Sequence, residues 1–379
     1  MRNAAASRLI LAPYSEQLVI DTARDALREI GGKVSCAFAF VSADYRPQLP
    51  DFLELIQLHA HVPILAGCSG AGIIGTGTET EQAQGFSLLL LHLPDTEIHV
   101  HEFAESDSSA ELTAQELGPE TWVLLANPME FAVETWLEEL NDTAPNVTCL
   151  GGLASGGARG DDIFVFRERQ LVEGAVAIGF HGGVRVHTLV SQGCRPIGEP
   201  LTVTGAEQNL VLSLASRPAY EVLQETFEAL PDSDKALANG NVFVGLASSE
   251  YVEDFKTGDF LVRNLIGADP QRGALAIGAY PRVGQTLQFQ LRDRRSADAE
   301  LRHLAAAASG EGVQPFASLL FACNGRGRHL FGVPNHDAAV LREHFGPVPS
   351  AGFFCNGEIG PVGGRNFVHG YTATMALFT

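Results

Sequence analysis

The stretch VPILAGCSGAGIIG, residues 62–75, returns in altered form as VPSAGFFCNGEIG at residues 348–360. Both begin with Val-Pro and continue as G-x4-G-x-I-G, and in both another glycine stands 18 residues after the first. That glycine, Gly85 or Gly370, opens an apolar run that is typical of a buried strand. Repetition at this level of detail predicts that the chain is built from repeated structural units.

A third, weaker copy lies between these two. Residues 147–151 read VTCLG, Gly156 stands five residues after Gly151, and a later strand is predicted to begin at Gly174. Each copy is preceded by an apolar run, and residues with helical spacing separate that run from the first glycine. The three apolar runs are residues 37–41, 122–126 and 319–322.

The repeated unit is therefore predicted to be strand, helix, strand, glycine turn, strand. A helical crossover permits the first two strands to be parallel, and a short connection lets the third return antiparallel. We predict an α+β fold of mixed β-sheets with helices on the outer faces, built from repeated β-α-β-β units in two domains. In this interpretation Gly67 and Gly352 belong to the glycine turns.

Composition limits the function classes. The net charge of −20, from 45 acidic and 25 basic residues, disfavours binding to nucleic acid or to an anionic membrane surface. The six cysteines are widely spaced with no C-x-x-C pair, and nowhere do 18 apolar residues run together. We predict a cytoplasmic protein with reduced thiols and without nucleic-acid or membrane partners.

Several spaced motifs resemble the FIST domains. Those similar to the C-terminal FIST domain are FACNGRG (321–327), GFFCNGEIG (352–360) and FVHGYT (367–372). Those similar to the N-terminal FIST domain are residues 67–75, 151–152 and 173–175. The resemblance implies an N-terminal extension at 1–29, a FIST N-terminal domain at 30–216 and a FIST C-terminal domain at 217–379.

The resemblance implies a sensory module that binds a small ligand, performs no catalysis, and signals through a partner protein such as a histidine kinase. It suggests amino acids as ligands. Some bacterial members look like haem-binding nitric oxide sensors, which is the second possibility within sensing. If haem b binds here, His181, His336 and His369 are candidate axial ligands because they lie beside the motifs. A structural role is the alternative for each.

Four polar residues in matching turns form the main candidate binding site: Asn324, Arg326, Asn356 and Glu358. An arginine can hold a carboxylate bidentately, a glutamate can pair with an amine, and asparagines both donate and accept. This set suits a zwitterion. The alternative is a buried Arg–Glu pair, with asparagines that serve turn geometry.

Gly67, Ser69 and Gly352 are secondary candidates, because a glycine-rich turn can present backbone N–H groups to a ligand. Close packing of strands is the alternative. An enzyme of another class, a hydrolase using Cys355 or Ser69, is the rival hypothesis, and a scaffold that binds no ligand is the third. Ser69 does not fit G-x-S-x-G, since Ala71 stands where the second glycine belongs. No metal site is predicted.

Overall fold

The computed structural model describes residues 2–104, 121–157, 159–251, 255 and 258–379. Within these ranges none of the helices has both the length and the apolar character needed to cross a membrane. The chain forms two compact units: a larger one, Met1–Val190 with Arg302–Thr379, and a smaller one, Ser191–Leu301. The domain bounds predicted from the sequence, 30–216 and 217–379, stay a prediction.

The strands of the described residues are, in chain order, β1 Ala4–Ile10, β2 Cys36–Ser42, β3 Leu65–Gly70, β4 Gly72–Gly75, β5 Thr78–Glu81, β6 Phe86–His92, β7 Thr96–Phe103, β8 Thr121–Ala126, β9 Thr148–Leu153, β10 Val165–Arg167, β11 Gln170–Val172, β12 Ala175–Gly182, β13 Val186–Ser191, β14 Cys194–Glu207, β15 Leu210–Leu214, β16 Arg217–Pro218, β17 Val242–Ala247, β18 Phe260–Asp269, β19 Ala274–Ile277, β20 Thr286–Arg292, β21 Ala317–Cys323, β22 Ser350–Cys355, β23 Glu358–Val362, β24 Arg365–His369 and β25 Ala373–Phe378. The α-helices are α1 Glu16–Ile30, α2 Leu49–Ala60, α3 Val133–Thr143, α4 Ala219–Glu228, α5 Asp232–Ala238, α6 Arg294–Gly310, α7 Gly327–Phe331 and α8 His336–Phe345. Short 3-10 helices span Ala43–Gln48 and Gly160–Asp162.

The larger unit contains three six-stranded mixed sheets. Their strand orders are β1-β6-β2-β3-β10-β11, β24-β23-β9-β8-β12-β7 and β13-β25-β21-β22-β4-β5. Together with the helices these sheets make an α+β protein, as the sequence predicts.

One strand arrangement occurs in all three sheets. The first strand of a segment pairs in parallel with the second and antiparallel with the fifth and last, which gives β6-β2-β3, β12-β8-β9 and β25-β21-β22. These strand directions are those predicted from the sequence. The first segment is residues 36–92, the second 121–182 and the third 317–378.

The three segments also exchange strands in a cycle. The first segment supplies β4 to pair with β22 of the third, and the third supplies β23 to pair with β9 of the second. The second supplies β10 to pair with β3 of the first. Each sheet is therefore completed by a strand from another segment, so no segment has its whole hydrogen-bonded sheet by itself.

Gly67 and Gly352 lie inside strands, and their interpretation as turn residues is wrong. In the parallel ladders Gly67 stands opposite Ala39, and Gly352 stands opposite Leu320. A Cβ atom would lie 1.8 Å from the Ala39 carbonyl oxygen at Gly67 and 1.9 Å from the Leu320 carbonyl oxygen at Gly352. Gly151 has the same relation to Leu124, at 1.9 Å. Close approach of backbones, rather than a turn, explains why glycine is needed at these positions.

A shared core fills the space between the three sheets, and helices cover the opposite faces. Side chains alternate along β2, so that Phe38 and Phe40 face the shared core while Ala39 and Val41 face α1 and α2. The shared core also contains Leu125, Phe321 and side chains from every central strand. Burial on both faces explains the continuous apolar runs in the sequence.

In the smaller unit, β14 pairs with both β20 and β15, so the sheet β14-β20-β17-β18-β19-β15 closes on itself. Its interior is filled by apolar side chains, among them Val203, Val244, Leu275 and Phe289.

Candidate functional site

The carboxyl ends of β3, β9 and β22 meet in a ring of hydrogen bonds. The Ser155 N–H donates to the Ser69 carbonyl over 3.1 Å, and the Asn356 N–H donates to the Leu153 carbonyl over 3.1 Å. The first and third segments have no equivalent backbone hydrogen bond among the described residues, and a serine side chain bridges them instead. The Ser155 hydroxyl accepts from the Ala71 N–H at 2.8 Å and donates to the Phe354 carbonyl. One serine thus closes the ring between all three segments.

Ser69 belongs to the structural part of this ring. The side chain is fully buried, and its Oγ accepts from the Phe164 N–H at 3.0 Å. The Ser69 N–H donates to the Phe164 carbonyl at 2.9 Å, so backbone and side chain both hold the entry to β10.

Asn324 and Asn356 are the exposed part of the strand ends, and the structure brings them together. The Asn324 Nδ2 donates to the Asn356 Oδ1 at 3.0 Å, and the Asn356 Nδ2 donates to the Ala154 carbonyl at 3.0 Å. Both residues follow directly on neighbouring parallel strands, β21 and β22. Carboxyl ends of parallel strands are where polar ligand-binding groups collect in open sheets.

Arg326 follows Asn324 by two residues and has no exposed surface. Its Nε donates to Asp337 Oδ2 at 2.7 Å and its Nη2 donates to Asp337 Oδ1 at 2.8 Å, a bidentate ion pair. The guanidinium carbon lies 5.2 Å from the centre of the Phe331 ring, and the His336 Nδ1 lies 2.9 Å from Asp337 Oδ1. Burial raises the pKa of Asp337, but the Arg326 charge and hydrogen bonds outweigh it and lower the pKa to about 2. The protein itself thus supplies a carboxylate to Arg326.

Glu79, on β5 of the first segment, reaches the same buried cluster. Its Oε1 accepts from the Ala338 N–H at 2.7 Å, in the first turn of α8. Burial and then the nearby Asp337 charge raise the pKa of Glu79 to about 8. Sequence reasoning missed Glu79 and Asp337, although His336-Asp337 stands beside the C-terminal motifs. The two carboxylates are 258 positions apart, so no local sequence pattern predicts that they meet.

Glu358 is likewise fully buried, and its Oε2 accepts from the Thr372 N–H at 3.0 Å. This contact joins the start of β23 to the residue immediately before β25. Of the four main candidates, the two asparagines are exposed and bonded to each other, while Arg326 and Glu358 lie beneath the surface.

Comparison with known proteins identifies the family. The FIST N domain model matches residues 35–217 and the FIST C domain model matches residues 219–361. The chain belongs to the FIST family. An uncharacterized protein of Mycobacterium tuberculosis is 38% identical over 97% of both chains. One of Mycobacterium bovis is 36% identical over 97% of this chain and 96% of its own. An F-box/LRR-repeat protein of Arabidopsis thaliana is 30% identical over 26% of this chain and 20% of its own.

FIST domains are in general sensory domains that bind small ligands in signal transduction. In this FIST protein, the two nucleophiles that the sequence suggested for a hydrolase, Cys355 and Ser69, are poorly placed for nucleophilic attack. Cys355 and Ser69 are both fully buried, and burial raises the pKa of the Cys355 thiol well above its usual value. A thiolate is the reactive form of cysteine, so this environment disfavours a nucleophile.

The surroundings of the three histidine candidates do not fit a haem axial ligand, which needs a ring nitrogen open to a large apolar cavity. The His336 ring stacks on Phe331 with centroids 3.4 Å apart and contacts Asp337 through Nδ1. His369 is 2% exposed, with its Nε2 2.9 Å from the Gly360 carbonyl oxygen. His181 is exposed at the end of β12. Within the described ranges, no group of three or more His, Cys, Asp or Glu residues has the geometry of a metal site.

Two cavities in the larger unit differ in character. A cavity of about 10 Å³ between α8 and the third sheet, bordered by Ser318, Ser350 and Arg342, has room for one water. An open groove of about 670 Å³ lies beside His61 and Arg167. Arg167 donates to Glu102 at 2.8 Å in that groove. Its charged and mostly polar walls are unlike the apolar pockets that enclose small ligands.

Proposed function

We propose that this FIST protein is a cytoplasmic sensor that binds a free amino acid at the Asn324–Asn356 pair and signals through a partner protein, without catalysis. A histidine kinase is the class of partner that the family resemblance suggests.

The observation that carries the proposal is the pairing of two exposed amides whose orientation is fixed. Asn356 is held by the Ala154 carbonyl on one side and by Asn324 on the other. In the described part of the chain, Asn324 uses one side-chain N–H, so its Oδ1 and its second N–H remain available to a ligand. Preorganised groups bind at a lower entropic cost than mobile ones.

Charged groups of both signs adjoin the turn that carries Asn324. Glu81 and Arg328 are exposed, and the Glu81 Oε1 accepts from the Arg328 N–H at 2.7 Å. Arg328 follows Asn324 by four residues. A carboxylate and a guanidinium beside neutral amides match the ammonium and carboxylate ends of an amino acid.

The buried Arg326 and Glu358 support this site rather than contact the ligand. The Arg326 N–H donates to the Cys323 carbonyl at 2.8 Å, so the ion pair with Asp337 also fixes the turn that carries Asn324. Ser69, Gly67 and Gly352 support it indirectly, through the ring and the ladders described above.

Calorimetric titration with the proteinogenic L-amino acids tests the proposal. We expect at least one to bind, and Asn324→Ala to weaken it by about tenfold, since one hydrogen bond to a ligand contributes about 1 to 1.5 kcal/mol. Asn239→Ala, an exposed asparagine of the smaller unit, is the matched control and should leave the affinity unchanged. Binding that Asn324→Ala does not alter, or a wild-type protein that binds no amino acid, would refute the proposed site.

A further inference from the structure

Two cysteines stand side by side, each directly before one asparagine of the exposed amide pair. Cys323 is the last residue of β21 and Cys355 is the last of β22, and the parallel register places them opposite each other. Their neighbours two positions earlier, Phe321 and Phe353, are also opposite, with ring centroids 5.8 Å apart in the shared core. Because side chains alternate along a strand, both thiols project from the same face as these rings.

The spacing of the two strands suits a covalent link. Neighbouring strands lie about 4.8 Å apart. Disulfides join Cα atoms about 4.4 to 6.8 Å apart. Their Cβ atoms are usually about 3.5 to 4.5 Å apart, so the strand ends would draw together slightly. That movement is local, because both cysteines end their strands.

The two thiols have different surroundings. Cys323 is partly exposed, and the Gly325 N–H donates to its Sγ at 3.4 Å. Cys355 is fully buried, and burial, followed by Glu358, Cys68 and Cys323, raises the pKa of its thiol. An oxidant can therefore reach Cys323 first, while Cys355 is protected until its neighbour has reacted.

We propose that Cys323 and Cys355 form a reversible dithiol–disulfide site that is oxidised by hydroperoxides. The Cys323 thiolate attacks the peroxide oxygen, the O–O bond breaks, and a sulfenic acid and hydroxide (or alkoxide) form. The Cys355 sulfur then attacks the Cys323 sulfur, the S–O bond breaks, and water leaves with the Cys355 proton. Two thiols are oxidised to one disulfide and one peroxide is reduced. An external thiol reverses the reaction by exchange.

The link would also change the amide pair above it. Asn324 and Asn356 follow the two cysteines directly, and the Asn324 N–H donates to the Cys355 carbonyl at 3.0 Å. Drawing the strand ends together shifts both side chains. This regulatory consequence rests on the proposed amino-acid site, whereas formation of the disulfide does not.

The test treats the native full-length protein with hydrogen peroxide, blocks remaining thiols in denaturant, and maps the peptides by mass spectrometry without reduction. We expect a cross-link between the Cys323 and Cys355 peptides, with the loss of both hydrogens, that dithiothreitol removes. Cys323→Ser should abolish it, and Cys149→Ala, a buried cysteine of β9, should not. Cys355→Ala provides a second variant and should leave Cys323 to accumulate as sulfinic acid.

Over-oxidation of Cys323 in the wild-type protein without a cross-link, or a link from Cys355 to Cys68 instead, would overturn the proposal. The peptide map uses no ligand, so its result is independent of whether amino acids bind. Equal amino-acid affinity in the oxidised and reduced protein would overturn the regulatory consequence alone.

Discussion

Replacing Ser155 by alanine removes the hydroxyl that closes the ring between the three segments. The hydroxyl accepts from the Ala71 N–H at 2.8 Å and donates to the Phe354 carbonyl, and Ser155 is fully buried. Alanine leaves one backbone donor and one backbone acceptor without this partner. Each buried polar group that loses its partner costs about 1 to 3 kcal/mol. We therefore expect a loss of about 2 to 4 kcal/mol in the free energy of unfolding, since some relaxation accompanies the change.

Urea titration measures the change as a shift in midpoint at constant slope. Hydrogen exchange adds a local readout, because the Ala71 amide should lose protection while amides at the centre of β2 keep theirs. Ser87→Ala is the matched control. Ser87 is also fully buried, but within the described residues its hydroxyl has no hydrogen-bond partner, so its removal should be neutral or slightly stabilising. Equal effects of the two substitutions would refute the bridging role of Ser155.

Two further predictions concern the ladder glycines and the buried carboxylate. Gly67→Ala should prevent folding or cost more than about 4 kcal/mol, because its Cβ would lie 1.8 Å from the Ala39 carbonyl oxygen. Gly370→Ala, where nothing lies within 4 Å, should change the unfolding free energy by less than about 0.5 kcal/mol; similar melting temperatures would contradict this account. The pKa of Glu79 is raised from 4.5 to about 8, so the folded state binds a proton that the unfolded state releases. The stability that Glu79 contributes is complete below pH 4.5 and is lost as the pH rises through about 8. Glu79→Gln should flatten that fall in urea titrations across this range, and an unchanged pH dependence would refute the shift.

The sequence predicted the strand arrangement well, because that arrangement depends on local patterns. Apolar runs such as 37–41 and 122–126 marked strands buried on both faces, and the helical spacing between them predicted parallel neighbours. The same reasoning placed Gly67 in a turn and not in β3. Some glycines are needed because a carbonyl of the neighbouring strand leaves no room for a Cβ atom. In the sequence these look the same as turn glycines until the partner strand is known.

The candidate site was harder to predict, because its partners come from different segments. Asn324 and Asn356 follow adjacent strands and contact each other. Their proximity could be predicted from their equivalent positions after two neighbouring strands of the repeat. The partner of Arg326 is Asp337 on a helix, and Glu79 arrives from the first segment through the exchanged strand β4. No repeat or spacing links these residues along the chain.

The sequence by itself determined the family, the α+β class and the direction of the central strands, since each depends on residue types within a few tens of positions. Only the tertiary structure decided which strand completes each sheet and which polar side chains are buried. The cyclic exchange of β4, β10 and β23 brings together groups that lie far apart in sequence. Burial then determines their chemistry, because a carboxylate such as Glu79 binds or releases its proton according to the charges and solvent that the fold leaves around it.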